Sequence, residues 1–294
     1  MKNEILRKTN FLPLLFLLLA TAVSLLLIDA HRCATELTVA RYEVEADISQ
    51  SLRLVQLSDL HSHTFGKDND QLVELVIAQK PDLILMTGDM MDKSDENADV
   101  VCALIARLKD VAPVYYCHGN HEASWENRTG IDLNPILTEA GATVLDHTFL
   151  DITADGQALR IGGCHTYYRY PGMLTKSGEQ WAAENAFADA FEDTDRFKLL
   201  LCHIPTSWID WGNIDKFPVD LVLSGHYHGG QIRLPLVGGV YAPYIGLFPP
   251  YTEGLYQGQT ATTILSTGLG SSPGVPRINN MPQVVVVDLM PSDI

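Results

Sequence analysis

The chain has 294 residues, a formal net charge of −16 and a hydrophobic fraction of 46%. That length and apolar content can form one large domain, or two small ones, around a substantial core. The acidic balance disfavours nucleic acid as a partner, because binding a polyanion requires Lys and Arg to neutralise its phosphates. The five cysteines are odd in number and irregularly spaced, which predicts neither a disulfide framework nor a C-x-x-C zinc site.

The N-terminal region is the first distinctive element. Residues 9–28, TNFLPLLFLLLATAVSLLLI, contain no charged side chain and follow three basic residues: Lys2, Arg7 and Lys8. About 20 apolar residues are enough to cross a bilayer as a helix. A cleaved signal peptide is one interpretation, since the Ala-Thr-Ala at residues 20–22 has the form of a cleavage site. The apolar run continues to Ile28, which favours a retained transmembrane anchor.

The basic residues before the apolar segment predict a cytoplasmic N-terminus and an extracytoplasmic location for the rest of the chain. The expected localisation is therefore the cell membrane, with a single span. The chain then divides into a cytoplasmic tip and anchor (1–32), a connector with the first strand (33–49) and one globular domain (50–294).

Within residues 50–294, strand-like apolar runs alternate with amphipathic helix-like segments. The strand-like runs include SLRLVQLS, PDLILMTG, APVYYCHG, TVLDHTFLDI, FKLLLCH, VDLVLSG and QVVVVDL. The helix-like segments are NDQLVELVIAQK, NADVVCALIARLK and EQWAAENAFADAFED. Continuous apolar strands between helices indicate sheets that are covered on both faces. This many strands predicts an α/β fold with two packed sheets and outer helices.

Several of these runs end in residues that can bind a metal or move a proton. They are Asp59, His61, Asp89, Asn120, His121, Glu122, His203, His226 and His228. In open α/β sheets ligands gather outside the carboxyl ends of the strands, so we expect these side chains to share one crevice. Gly88, Gly119 and Gly225 stand beside them, where the backbone is expected to turn sharply off each strand.

Without His121 and Glu122, the set offers seven candidate metal ligands of mixed nitrogen and oxygen chemistry. Such a set suits Zn, Mn or Fe better than Ca or Mg. Seven ligands exceed what one tetrahedral ion needs and predict two divalent ions, whose identity stays open. A carboxylate can bridge two ions, and Asp89 lies centrally in the ligand order. A dinuclear site of this kind can clamp a phosphoryl group and generate hydroxide at neutral pH.

The blocks D-x-H, G-D-x-x-D, G-N-H-E, a single His after a strand, and G-H-x-H occur in that order. This arrangement closely resembles the calcineurin-like metallophosphoesterase superfamily. The strings SDLHSHTFGK and GHYHGGQIRLP are similar to its membrane-anchored or exported bacterial branch. The resemblance covers about residues 50–290. It implies a four-layer α/β/β/α sandwich of two mixed sheets flanked by helices, and a metallophosphoesterase domain over residues 50–294.

The same resemblance implies a role for each residue. One ion would be bound by three residues, the second ion by three others and both by a bridging carboxylate: Asp59, His61 and His228; Asn120, His203 and His226; Asp89. His121 matches the family's general acid or transition-state stabiliser. Asp92 matches the last residue of G-D-x-x-D, where it would orient a ligand. The implied reaction is hydrolysis of a phosphomonoester, phosphodiester or pyrophosphate by a metal-bound hydroxide.

Four further features have expected or open roles. His63 is predicted to be a loop histidine without metal contact. Glu122 is predicted to be a structural carboxylate, because the metals already supply the nucleophile. Tyr227 stands where the branch more often has a small residue, and could narrow the cleft, contact the substrate or pack away from it. The segment VYAPYIGLFPPYTEGLY is either an irregular loop or a rim that meets lipid.

The substrate stays open between several classes. A membrane anchor favours a lipid-linked or cell-envelope phosphoester. The resemblance also suggests a UDP-2,3-diacylglucosamine-type pyrophosphate hydrolase of lipid A synthesis, although a cytoplasmic nucleotide sugar disagrees with an extracytoplasmic domain. A non-catalytic receptor or scaffold would predict a lost ligand or a missing His121, and all are present. A nuclease is disfavoured by the acidic charge. The sequence gives no indication of oligomeric state.

Overall fold

The computed structural model of the protein describes residues 2–169, 178–271 and 275–292. Its α-helices are α1 (Lys2–Thr35), α2 (Asp70–Gln79), α3 (Asp99–Leu108), α4 (Asn120–Thr129), α5 (Asn134–Ala140) and α6 (Gly178–Glu192). The apolar spacing that predicted α2 forms its buried face, where Leu72, Val73 and Val76 lie. The helix ends at Lys80, which adopts a left-handed backbone conformation with φ 54°.

The strands are β1 (Thr38–Ala46), β2 (Leu52–Leu57), β3 (Leu83–Thr87), β4 (Val114–Cys117), β5 (Thr143–Val144), β6 (Phe149–Ala154), β7 (Gln157–Cys164), β8 (Phe197–Cys202), β9 (Leu221–Ser224), β10 (Arg233–Leu234), β11 (Gly238–Gly239), β12 (Tyr241–Ala242), β13 (Gly246–Leu247), β14 (Gly254–Gln257), β15 (Thr262–Leu265) and β16 (Gln283–Pro291). The run TVLDHTFLDI, predicted as one strand, is divided between β5 and β6. The interruption includes His147, whose φ of 47° leaves the extended conformation.

Twelve of these strands form two mixed six-stranded sheets. The first sheet has the order β1-β16-β2-β3-β4-β5, with β16 antiparallel to β2 and the other pairs parallel. The second has the order β14-β15-β9-β8-β7-β6, with antiparallel pairs only at its two edges. Strands β2 to β4 and β7 to β9 are therefore parallel within their sheets, so their carboxyl ends share an edge.

Three apolar cores separate the layers. One core lies between the sheets and includes Leu54 and Leu85 of the first sheet with Leu199 of the second. A second core packs helices α2, α3 and α5 on the outer face of the first sheet. A third packs α6 on the outer face of the second sheet, where Phe191 is buried. This order of layers confirms the predicted α/β/β/α sandwich.

Helix α1 extends from this domain. The most apolar 18-residue window between Phe11 and Thr35 has a mean hydropathy of 2.7 and lies outside the protein interior. Its last turns contact the domain: Cys33 is buried with its Sγ 3.7 Å from Met281 Sδ. The backbone N–H of Asn279 donates to Asp29 Oδ2 at 2.5 Å. The helix therefore meets the domain close to the segment that leads into β16.

Candidate metal centre

The seven predicted ligands lie just after the carboxyl ends of five strands. Asp59 and His61 follow β2, Asp89 follows β3 and Asn120 begins α4 directly after β4. In the second sheet His203 follows β8, and both remaining histidines follow β9. The two sheets face each other, and their strand ends bring the six carboxylate and imidazole side chains together at one edge of the sandwich.

The first group of ligand atoms consists of Asp59, His61 and His228. The Nε2 atoms of the two imidazoles lie 3.3 Å apart. His228 Nε2 lies 3.6 Å from Asp59 Oδ1. All three side chains are nearly completely buried. Two nitrogens and one carboxylate oxygen thus face a common point that is shielded from water.

The second group consists of Asp89, His203 and His226. His203 Nε2 lies 3.2 Å from Asp89 Oδ2 and 3.2 Å from His226 Nδ1. The Nδ1 atom of His203 lies 2.7 Å from the carbonyl oxygen of Thr87, to which it donates. This bond places a ring proton on Nδ1 and directs Nε2 at the other two ligands, where a cation would displace the proton that Nε2 otherwise shares with Asp89.

Asp89 lies between the two groups. Its Oδ2 atom is 3.2 Å from His203 Nε2 and 3.9 Å from His61 Nε2. The Oδ1 atom accepts a 2.8 Å hydrogen bond from the backbone N–H of His121. One carboxylate oxygen therefore faces ligands of both groups, while the other is held by the first turn of α4.

His121 and Asp92 lie beside the first group. His121 Nε2 is 4.0 Å from Asp89 Oδ2, and its Nδ1 is 3.2 Å from Asp92 Oδ2. The same Asp92 oxygen lies 3.6 Å from His61 Nδ1. The His61 ring keeps the pKa of Asp92 below its usual value. The Asp92 carboxylate therefore lies on the Nδ1 side of both imidazoles, and His121 Nδ1 accepts the backbone N–H of Lys93 at 3.2 Å.

The backbone at the centre is strained. Five of the seven predicted ligands have left-handed φ values between 48° and 70°: Asp59, His61, Asp89, His226 and His228. A non-glycine residue in this region costs about 1–3 kcal/mol and persists only where its surroundings hold it. Such strain is typical of a site whose side-chain directions matter more than local stability.

Glycines allow the strand ends to approach each other. A Cβ at Gly225 would lie 2.0 Å from Ser58 Oγ and 2.2 Å from Asp59 Oδ2, and one at Gly119 would lie 2.2 Å from Asp89 Oδ1. Neither glycine has a left-handed backbone, so the expected sharp turn explains only Gly88, with φ 85°. Gly119 and Gly225 are required for space rather than for conformation.

Glu122 is the structural carboxylate that the sequence predicts. Its Oε2 accepts the backbone N–H groups of Asp89 and Gly119 at 2.8 and 2.7 Å. Its Oε1 accepts the N–H of Met90 at 2.8 Å and the hydroxyl of Tyr116 at 2.7 Å. As residue N3 of α4, Glu122 caps its own helix and also fixes the loop that carries Asp89.

Burial and neighbouring charges set the protonation of the centre. Burial, with the charge of His203, lowers the pKa of His226 to about 3. Burial, with the charge of His61, also lowers the pKa of His228. Burial opposes a charge on His203 as well, but Asp89 outweighs it and raises that pKa to about 10. His226 and His228 are thus neutral, the form in which imidazole binds a metal.

These residues fit divalent cations. The ligand atoms of each group lie within 4.8 Å of one another and consist of imidazole nitrogens and carboxylate oxygens, the donors that Zn, Mn and Fe accept. Asn120 Oδ1 is buried without a hydrogen-bond partner, and a buried carbonyl oxygen in that state is costly unless a cation or water satisfies it. The predicted cofactor class therefore agrees with the chemistry of the site.

Two residues with open or expected roles lie away from the ligands. Tyr227 is completely buried, and its hydroxyl contacts Thr206 Oγ1 at 2.7 Å and donates to Asp210 Oδ2 at 2.8 Å. Of the three roles left open for it, packing away from the cleft is the one observed. His63 Nε2 lies 2.9 Å from the carbonyl oxygen of Ala34 in α1, away from the ligand groups.

Sequence reasoning missed two features. Asp146 Oδ1 lies 3.2 Å from His147 Nδ1 and 3.1 Å from His165 Nδ1, although both histidines fall outside the motifs. Asp146 and His165 meet only because β6 pairs with β7, and no local sequence pattern predicts this contact. The ring of Tyr244 stacks on His226, with centroids 5.2 Å apart and planes 16° apart. The sequence marks the segment that contains Tyr244 as rich in aromatic residues, but no local pattern predicts that Tyr244 contacts His226.

Comparisons with known proteins agree with this geometry. The family model for calcineurin-like phosphoesterases matches residues 52–230. The chain is 30% identical to the uncharacterized metallophosphoesterase YkuE of Bacillus subtilis, over 81% of this chain and 78% of that protein. It is also 30% identical to the phosphodiesterase YaeI of Escherichia coli, over 83% of this chain and 84% of that protein.

Proposed function

Because the chain belongs to the calcineurin-like phosphoesterase family and is therefore a hydrolase of phosphoric esters, we propose that it is a dinuclear phosphodiesterase tethered to a membrane. The observation that carries the proposal is the position of Asp89, whose Oδ2 faces His203 of one ligand group and His61 of the other. A carboxylate placed in this way can bridge two ions a few ångströms apart.

The proposal assigns the ligands as the sequence predicted them. Two divalent ions held by these residues would activate water and neutralise charge on the phosphoryl oxygens. The ligand sets are Asp59, His61 and His228; Asn120, His203 and His226; and the bridging Asp89. The near-complete burial of the carboxylates and imidazoles strengthens every electrostatic interaction at the site.

His121 is proposed as the general acid. Its Nδ1 accepts the backbone N–H of Lys93 at 3.2 Å, which leaves the ring proton on Nε2, 4.0 Å from Asp89 Oδ2. A proton held at Nε2 can pass to the oxygen of the leaving alcohol as the P–O bond breaks. Asp92, whose Oδ2 lies 3.2 Å from the same Nδ1, helps to fix the orientation of the ring.

The choice of a phosphodiester rests on one comparison. YaeI, which aligns over 83% of this chain, is named a phosphodiesterase. The tether rests on α1, a continuous helix from Lys2 to Thr35 that is apolar and exposed over residues 11–28. With basic residues before the apolar segment, the proposed location of the site is extracytoplasmic.

The test is hydrolysis by the detergent-solubilised full chain, stripped of metal and reloaded with Mn, Zn, Fe or Mg. Bis(4-nitrophenyl) phosphate, 4-nitrophenyl phosphate and a nucleotide-diphospho-sugar are compared as substrates. We expect metal-dependent turnover, fastest on the diester, that falls at least about 10²-fold in Asp89→Asn. Asp195→Asn, which changes an exposed carboxylate of the same chain, is the matched control. Equal turnover in the two variants, or turnover without metal, would refute the proposal.

A further inference from the structure

An uncharged loop with exposed apolar side chains follows the His226–His228 segment. Residues 234–251, LPLVGGVYAPYIGLFPPY, contain no charged residue in a chain of net charge −16. Here they are called the apolar loop. Leu236, Leu247 and Tyr244 are among the most exposed large side chains of the described domain, at 108%, 69% and 68%. Val237, Tyr241 and Phe248 are also exposed. Several exposed large apolar side chains in one segment are typical of an interaction site.

The apolar loop begins next to the end of the apolar helix. Asp29 is the first charged residue after the uncharged segment of α1, so it marks the level at which an anchor would leave the bilayer. Asn279 donates its backbone N–H to Asp29 at 2.5 Å and its side-chain amide to the carbonyl oxygen of Arg233 at 3.1 Å. Arg233 directly precedes the apolar loop. Two hydrogen bonds therefore connect the membrane level of α1 with the base of the loop.

The apolar loop is also attached to the metal centre. The backbone N–H of Val240 donates to the carbonyl oxygen of Gly230, and Gly239 packs so closely on Gly230 that a Cβ there would lie 2.3 Å from the Gly239 Cα. The Tyr244 ring covers His226. The apolar loop therefore packs directly on the segment that carries His226 and His228 and covers one side of the site.

From these observations we infer that the apolar loop inserts into the interface of the same bilayer that α1 crosses and holds the metal centre against lipid-borne phosphoesters. The inference rests on the proposed function, because it requires α1 to be a retained anchor. Tyrosines and aliphatic side chains without charge are the composition that favours the interface of a bilayer. An acidic chain gains nothing from anionic lipids, so insertion depends on the apolar side chains rather than on charge.

The test uses the full chain in vesicles of phosphatidylcholine, with and without bromine on the acyl chains, which quenches tryptophan emission by contact. Leu247→Trp places a probe on β13 of the apolar loop. Leu150→Trp is the matched control, because Leu150 is a 44% exposed leucine on edge strand β6. The emission of the unmodified chain is subtracted from both variants. We expect the bromolipid to reduce the remaining emission of Leu247→Trp at least threefold and to leave that of Leu150→Trp unchanged, in zwitterionic lipid and at high salt alike.

Equal quenching in the two variants would overturn the inference. The inference would also be overturned if Leu247→Trp were dimeric and its tryptophan emission were blue-shifted but not quenched. A second copy of the chain would then cover the apolar loop. Phe248→Trp, an exchange between aromatic residues, repeats the measurement if Leu247→Trp does not fold. The quenching readout requires no turnover. An active Leu247→Trp enzyme with an unquenched probe refutes membrane insertion of the apolar loop but not the proposed function. A quenched but inactive chain refutes the proposed function but not the insertion.

Discussion

Replacing Glu122 by Gln tests the claim that this carboxylate builds the Asp89 loop. In the unsubstituted protein, each carboxylate oxygen of Glu122 accepts at least two short hydrogen bonds. Oε2 accepts the N–H groups of Asp89 and Gly119, and Oε1 accepts the N–H of Met90 and the hydroxyl of Tyr116. The glutamine amide has one oxygen and one NH2 group. If the NH2 group replaces Oε2, the N–H groups of Asp89 and Gly119 lose their acceptor and face another donor. If it replaces Oε1, the N–H groups of Met90 and Met91 do so, while the Tyr116 hydroxyl can turn to accept.

The magnitude follows from these two bonds. A hydrogen bond to a charged acceptor contributes about 1.5–3 kcal/mol, so Glu122→Gln should lower the free energy of unfolding by about 3–6 kcal/mol. For a domain of this size the midpoint of thermal unfolding then falls by about 6–24 °C. Because Asp89 loses the support of its backbone, metal affinity should also fall about 10- to 100-fold.

The assay is thermal unfolding of the metal-free full chain, since bound metal would itself shift the midpoint. Glu74→Gln is the control, because Glu74 lies exposed on α2 and its substitution should change the midpoint by no more than about 1 °C. A Glu122→Gln midpoint as close to the parent as that of Glu74→Gln would refute the reasoning, since Glu122 would then not hold the loop.

Two further substitutions have distinct expected outcomes. Tyr227→Phe should lower the free energy of unfolding by about 1–2 kcal/mol, because Asp210 and Thr206 lose their buried hydroxyl partner, and should leave hydrolysis of an aryl diester within about twofold; a tenfold slower rate would place the ring at the substrate. For His147, burial opposes charge, but Asp146 and Cys164 outweigh it and raise its pKa to about 10. Because folding raises this pKa, the His147–Asp146 ion pair contributes fully to the free energy of unfolding below about pH 6.5. That contribution is lost as the pH rises through 10. The pair is partly exposed, so urea unfolding should show that Asp146→Asn costs about 1 kcal/mol at pH 6.5 and less at pH 10; an equal cost at both would contradict the charged pair.

The sequence predicted the fold because its strands are continuous apolar runs. Those runs can only be buried on both faces, as β3 and β9 are, and the layer order follows from that requirement. The sequence could not predict where a run breaks. The run that became β5 and β6 has the composition of one strand, yet it leaves the extended conformation at His147 to join Asp146 and His165.

The site was predictable to the extent that chemistry follows strand ends. Each candidate ligand stands directly after a strand, so the edge of the sheets gathers them without further information. Contacts that depend on side-chain direction were not predictable. Tyr227 sits between two histidines of the site but points into the interior, whereas Tyr244, some twenty residues along the chain, stacks on His226. The role of Gly119 and Gly225 in making space also requires the distance between two strand ends that are remote in sequence.

Asp89 is proposed to bridge two metal ions, and the most direct test is to count the ions bound per chain. The stripped full-length protein is loaded with Mn²⁺ or Zn²⁺, freed of unbound ions and analysed by elemental mass spectrometry. We predict two ions in the parent and in Asp195→Asn, and fewer than two in Asp89→Asn together with the loss of hydrolysis. One ion per chain in the parent, or two ions and full hydrolysis in Asp89→Asn, would contradict the account.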